Sequence, residues 1–211
     1  MNSTANLLKQ VRIQRHGKDV CEKLEAATVG IAGLGGLGSH IAMSLARMGV
    51  GNLVLADFDY VDISNIQRQN YSLSHLNMPK TEAISEQLLA VHPTIKLDSH
   101  IYMVDEKNAT EIFSNCDVVC EAFDDPSAKA MIVQVLLSKC PNLKIVAASG
   151  MAGYGSGNSI HTRKAMNRLY LCGDEESELH IDGQLFAARV ALCANQQALM
   201  TLRLLLGETT P

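Results

Sequence analysis

The chain contains no tryptophan, and aromatic residues make up only 4% of its 211 positions. A surface that stacks nucleic-acid bases needs such rings, and few are on offer. A strong excess of positive or negative charge is also missing. The formal net charge is -4 and the isoelectric point near 6.0, so nothing general draws the protein to nucleic acid or an acidic membrane. No uncharged apolar run reaches the roughly 18 residues of a membrane span, and MNSTANLLKQVRIQRHGKDV lacks the apolar centre of a signal peptide. A cytoplasmic protein is expected. The six cysteines (21, 116, 120, 140, 172, 193) form no C-x-x-C pair; Cys116 and Cys120 flank the apolar DVV without a second ligand pair. Buried or inert thiols and no zinc are expected. The seven histidines (16, 40, 75, 92, 100, 161, 180) lack metal-ligand spacing and read as structural or surface groups.

What is present is a well-buried globular composition, 47% hydrophobic and 19% charged. No repeat or linker divides it, so residues 1–211 are read as one domain. Residues 3–25 have helical spacing. TVGIA (28–32) reads as a strand, 36–50 as a helix ending at Gly49, NLVLAD (52–57) as a buried strand and 79–93 as a helix. An alternating run at 95–103, strand 117–123, helix 126–139 and strand 144–149 follow. Strands alternating with helices predict an α/β, Rossmann-like, mainly parallel sheet covered on both faces. Beyond Gly150, GMAGYGSGNSIHTRKA and NRLYLCG predict antiparallel additions. Residues 173–184 predict a mobile acidic loop, and 186–207 a long helix ended by Gly207.

GLGGLG (33–38) lies at the first strand-to-helix turn, where Gly33, Gly35, Gly36 and Gly38 let backbone N–H groups approach phosphate oxygens. Taken alone it is equally a tight packing turn. Asp57, nineteen residues beyond Gly38 at the end of the next strand, is placed to accept from ribose hydroxyls. Together they indicate an adenosine nucleotide without saying which. SNIQRQ then offers Asn65 and Arg68 to a triphosphate. Lys80, in a first helical turn, opposes the helix dipole, a poor choice unless an anion is near. Asp124, ending the strand DVVCEAF, faces the crevice where parallel sheets bind ligands and can hold Mg2+. Two cations, an amide and a carboxylate suit phosphoryl or nucleotidyl transfer. Each also has a plain structural reading: Arg68 and Lys80 as solvated charges, Asp124 as the cap of the helix from Pro126.

GLGGLG, ADFDYVDISNIQRQ, MPK and FDD, in this order over nearly the whole chain, resemble the adenylating domain of the ThiF/MoeB/HesA family, bacterial relatives of the ubiquitin-activating enzymes. AFDDPSAKAM, ASGMAGYGSGNSI and LYLCGDEESE are most similar to its shorter ThiF branch, often called family 2. The resemblance implies an enzyme that uses Mg-ATP to join AMP to the C-terminal glycine of a small ubiquitin-like, ThiS-like sulfur carrier ending in Gly-Gly, for thiazole synthesis in the thiamine pathway. It implies that Gly36 approaches the phosphates, Asp57 holds ribose, Ser64, Asn65 and Arg68 line the triphosphate, Lys80 neutralises it and Asp124 holds Mg2+. Asp125 stands where the family usually has Asn. Arg15, in RIQRH, is similar to an arginine that in this family reaches the active site of the neighbouring subunit in a homodimer.

The two C-x-x-C pairs of longer members are missing here, as is the local motif around a carrier-bonding crossover cysteine. Cys172 stands at the start of the equivalent region, followed by acids that disfavour a thiolate. There is no sulfurtransferase segment, so a separate protein would donate sulfur. Three alternatives stay open: the same chemistry on a carrier for molybdopterin or cysteine synthesis, a nucleotide-binding scaffold without turnover, and an NAD-dependent oxidoreductase.

Overall fold

A computed structural model describes residues 2–177 and 184–211. The expected N-terminal helical stretch is two helices, α1 (Asn2–His16) and α2 (Lys18–Ala26), parted at Gly17, whose φ of 87° and ψ of 151° leave helical space. Then come β1 (Thr28–Ala32), α3 (Gly36–Met48), β2 (Asn52–Ala56), α4 (Lys80–Val91), β3 (Lys96–His100), α5 (Ala109–Phe113), β4 (Val118–Glu121), α6 (Pro126–Lys139), β5 (Lys144–Ala148), β6 (His161–Met166), β7 (Leu169–Gly173) and α7 (Ala187–Leu206). The short α5 has too few residues to show a helical period and was not anticipated.

One seven-stranded sheet runs β3-β2-β1-β4-β5-β7-β6. The antiparallel addition expected beyond Gly150 is the pair formed by β6 and β7, which starts later than the sequence suggests. Residues 150–160 make turns, with Gly150 and Gly153 at φ of 78° and 75°. Of the two strands that follow, β6 and β7 pair antiparallel, and β7 runs parallel to β5. The chain leaves β5, forms β6 at the outer edge and turns back into the gap between them. A hairpin partner of β6 placed there must run with β5. The acidic loop expected at 173–184 lies partly outside the described residues.

Side chains alternate between two apolar layers. Val29 and Ile31 of β1 face Leu45 of α3 and Val190 and Leu204 of α7, while Ala32, Val119 and Ile145 face Phe113 of α5 and Ile132 and Leu136 of α6. Gly30 makes room for the second layer, since a Cβ there would stand 2.6 Å from the Phe113 ring. Truncating a fully buried ring such as Phe113 costs about 3–5 kcal/mol. Arg168 closes the far end of α6, donating to the carbonyls of Leu137, Cys140 and Leu143 at 2.6–2.8 Å.

The parallel strands end along one edge of the sheet, and the glycine turn after β1 fixes the geometry there. Gly33 adopts φ 91°, and a Cβ on Gly38 would lie 1.9 Å from the Gly33 carbonyl oxygen. Gly38→Ala must therefore push α3 away from β1. A loss of about 2 kcal/mol or more is expected, the upper range for overpacking, read as a lower urea midpoint. A wild-type midpoint would show that the turn can open freely.

Candidate nucleotide site

The carboxyl ends of β1, β2 and β4 converge on the first turn of α3. Asp57, just past β2 and 8% exposed, accepts from the Leu34 N–H at 2.6 Å and from the Asp59 N–H at 2.8 Å. One carboxylate thus joins the end of β2 to the glycine turn. Burial pushes its pKa up, opposed chiefly by the Lys80 ammonium and then by those two N–H groups.

Lys80 opens α4 as expected and is buried, but the anion that accounts for it is internal. Its Nζ donates to Asp59 Oδ2 at 2.7 Å and its backbone N–H to the Asp59 carbonyl at 2.9 Å. A lysine in a first helical turn calls for a nearby anion, and Asp59, in DFDYVD, supplies one from within the protein.

Residues 63–65 form a single 3-10 turn capped by Asp62, which accepts from the Ser64 N–H and hydroxyl at 2.8 and 2.6 Å. Those two donors hold the Asp62 carboxyl below its ordinary range. Asn65 Oδ1 returns the cap by accepting from the Asp62 N–H at 3.2 Å. Arg68 folds back to donate to the Ser64 carbonyl at 2.9 Å. Ser64, Asn65 and Arg68 are thus one local unit, and the stem of Arg68 reaches Gly36, passing 4.0 Å from where a Cβ there would lie.

This unit is fastened to α3 and α4 by groups that sequence reasoning passed over. His40 Nε2 lies 3.2 Å from the Arg68 carbonyl; a carbonyl only accepts, so Nε2 carries the hydrogen. Burial lowers the His40 pKa, which favours the neutral ring. Ser39 Oγ donates to the Gly35 carbonyl at 2.7 Å and accepts from the Asn70 N–H at 3.0 Å. Tyr71 donates to the Leu34 carbonyl at 2.7 Å, and Gln87 of α4 to the Asn70 carbonyl at 2.6 Å. Singly, such residues carry no motif; only the fold shows them to be fasteners.

Across the crevice, the end of β4 abuts the glycine turn: a Cβ on Gly33 would stand 2.9 Å from the Ala122 carbonyl. Asp125, not Asp124, caps α6, accepting from the Ala128 N–H at 2.7 Å. That removes the capping alternative for Asp124, whose exposed carboxylate makes no hydrogen bond or ion pair among the described residues. The strand end is set by fully buried Glu121, which accepts from the Phe123 N–H at 2.7 Å and pairs with Lys129 at 2.8 Å. Lys129 also donates to the Phe123 carbonyl at 3.0 Å. Burial pushes Glu121 up against the pull of Lys129.

Two sequence-predicted groups stand elsewhere. Arg15 is exposed in the last turn of α1, and no hydrogen bond or ion pair among the described residues links it to the glycine turn. Its neighbour Arg12 donates to the Ala46 carbonyl, at the opposite end of α3 from the crevice. Cys172 is fully buried in β7, where desolvation pushes the thiol to about 11. Burial raises this thiol, where the sequence pointed to neighbouring acids. Arg189, buried in α7, ties the loop beyond β5 to the end of β7 by pairing with Asp174 and donating to the Gly155 and Ser156 carbonyls at 2.8 Å.

The two adjacent aspartates separate cleanly in a stability measurement. Asp125→Ala is expected to cost about 1 kcal/mol, the scale of a lost N-cap, whereas Asp124→Ala should stay within about 0.5 kcal/mol of wild type. Equal losses in chemical denaturation would mean that Asp124 is also structural.

Known proteins resemble this chain in sequence and in fold. The chain is 35% identical over 145 residues to the molybdopterin-synthase adenylyltransferase of Haemophilus influenzae, covering 68% of this chain and 58% of that protein. It is 29% identical over 208 residues to the sulfur carrier protein ThiS adenylyltransferase of Escherichia coli, covering 96% and 82%. The fold superposes on E. coli tRNA N6-threonylcarbamoyladenosine dehydratase in complex with AMP with a TM-score of 0.83 over 93% of each chain, at 18% identity, a likeness of fold alone. Residues 7–211 match the ThiF family throughout, and the chain belongs to that family.

Proposed function

We propose that this protein is a Mg-ATP-dependent adenylyltransferase that activates the C-terminal glycine of a small sulfur carrier protein as an acyl-adenylate. The observation that carries the proposal is the convergence of Asp57, the N-terminus of α3, Lys80, the Ser64–Arg68 turn and the unengaged Asp124 carboxylate on one crevice. Asp57 would accept from the ribose hydroxyls, and the glycine turn would receive the phosphates. Arg68 and Asn65 would line the triphosphate. Asp59 takes one of the three Lys80 donors, leaving the others for phosphate oxygens.

Among the described residues no three His, Cys, Asp or Glu side chains gather as a metal site. A lone free carboxylate fits Mg2+ shared with phosphate oxygens, with Asp124 as its protein ligand and Asp125 beside it as helix cap. When bound there, the ion would offset charge on the leaving pyrophosphate. The carrier carboxylate is already ionised and attacks the α-phosphorus. A carboxylate-to-phosphorus bond forms, the bond to the β-phosphate bridging oxygen breaks, and pyrophosphate departs with that electron pair. No general base is needed, and the residues' task is to hold two anions together.

A ThiS-like carrier of the thiamine pathway is our first reading, from the resemblance of residues 122–131 and 148–160 to the shorter ThiF branch. A molybdopterin-pathway carrier is the second, favoured by the 35% identity to a molybdopterin-synthase adenylyltransferase. Burial of Cys172 supports passage of the acyl group to a separate sulfur donor without an adduct on this chain. Incubating the protein with Mg-ATP and a panel of purified carriers ending in Gly-Gly, then reading intact mass, tests the proposal and names the carrier; no adenylylated carrier from any pathway would contradict it. In carrier-dependent ATP–pyrophosphate exchange, Asp124→Asn should abolish the signal, and Arg68→Ala and Lys80→Ala should each lower it about a hundredfold or more. A change confined to the ATP KM would assign the cations to uniform binding instead.

The exposed, unattached Arg15 supports a homodimer in which this side chain completes the partner's site. Mixing Arg15→Ala with Asp124→Asn, each inactive, should restore activity in one of a heterodimer's two sites. Full activity from a protein that sediments as a monomer would remove the idea.

A further inference from the structure

Five of the six cysteines are buried, and burial pushes their thiols up: Cys116, Cys120 and Cys193 to about 12, Cys172 to about 11, and Cys140 in the same direction. Cys21, in the first turn of α2, is the exception and is only half-buried. It lines a cavity of about 30 Å³ between α1, α2 and the ends of α3 and α4 that lie away from the crevice. Arg12, Lys9, Glu25, His92 and Thr94 share that lining. Lys9 Nζ donates to both Glu25 oxygens, at 2.9 and 2.7 Å, which leaves Arg12 as the cation there without a carboxylate among the described residues.

Two nitrogens of the lining are buried without a hydrogen-bond partner among the described residues: Nε of Arg12 and Nε2 of His92. Another Arg12 N–H donates to the Ala46 carbonyl at 3.0 Å. His92 is only 6% exposed, and burial, then the Arg12 charge, lowers its pKa to about 4, so the ring is neutral at neutral pH. A guanidinium N–H only donates, whereas a nitrogen of a neutral imidazole can accept. Leaving such atoms buried and unmatched is costly, which points to a small polar guest beside the one thiol that is not buried. Thiols that react with oxidants are partly exposed and lie among cations. We infer that Cys21 is a site of oxidation by hydrogen peroxide, a molecule small enough for this cavity and able to accept from Arg12 Nε while donating to His92 Nε2. Sγ attacks one peroxide oxygen: an S–O bond forms, the O–O bond breaks, and the departing hydroxide takes up the thiol proton as water. Sulfur loses two electrons and becomes a sulfenic acid. Its new oxygen is the acceptor that Arg12 Nε lacks. The inference is independent of the nucleotide reading.

The test exposes the full chain to an equimolar amount of hydrogen peroxide in the presence of dimedone, which traps sulfenic acid, and maps the adduct by peptide mass. The adduct should fall on Cys21 and vanish in Cys21→Ser, with the five buried cysteines unlabelled. Arg12→Met, which removes the donor and its charge, should slow labelling about tenfold, the effect of one lost hydrogen bond to a charged group. Should Arg12→Met lose the far-ultraviolet dichroism of wild type, His92→Phe, which fills the cavity, takes its place with the same expectation. No adduct on Cys21, or labelling spread over the buried cysteines, would overturn the assignment. So would equal or faster labelling in the variant, since that would make exposure alone the cause.

Discussion

The hydrogen bond from the Leu34 N–H to Asp57 Oδ2, 2.6 Å long and buried, is the contact on which the crevice depends. It fixes the end of β2 against the glycine turn after β1, two segments that the parallel sheet brings side by side but does not itself lock. A hydrogen bond to a charged group contributes about 1.5–3 kcal/mol, and this one shields a carboxylate whose burial would otherwise favour protonation. The second Asp57 oxygen directs the Asp59 N–H, and Asp59 in turn holds Lys80. The proposed ribose acceptor and the cation at the start of α4 thus hang on one chain of contacts that begins at the turn.

Around that chain the site is built from pieces that move poorly on their own. The Arg68 turn is fastened to α3 through His40 and Ser39 and to α4 through Gln87. The β4 end is held by the buried Glu121–Lys129 pair, which leaves Asp124 standing free at the rim. Gln197 of α7 donates to the carbonyls of Glu121 and Val146, so the helix that covers the sheet also braces the strand end. Fastening of this kind would set the candidate groups in place before a ligand arrives, which is how electrostatic stabilisation becomes effective.

The parallel half of the fold was legible because its signals are local and strong. TVGIA coincides with β1, 126–139 with α6, and the stops at Gly49 and Gly207 with left-handed helix ends at φ 99° and 98°. The polarity of β7 was not legible, since it follows from β6 taking the outer edge, a decision of topology that leaves no mark in a five-residue apolar strand. In the site, Asp57, Arg68 and Lys80 were readable from glycine spacing, charge and helix position. Asp59, His40, Ser39, Glu121 and Lys129 were not, because each has a decisive partner eight or more residues away in sequence: Lys80 for Asp59, Arg68 for His40, Asn70 for Ser39, and each other for Glu121 and Lys129. Which of two adjacent acids caps α6 could be settled only by backbone geometry.

Two cations, a free acid and a glycine turn could serve attack at either the α- or the γ-phosphorus, and the central claim is that attack falls on α. A single-turnover reaction with the matching carrier and ATP labelled separately at the α and γ positions distinguishes them directly. The account predicts that the α label moves to the carrier while the γ label leaves as pyrophosphate. Transfer of the γ label with release of ADP would contradict it.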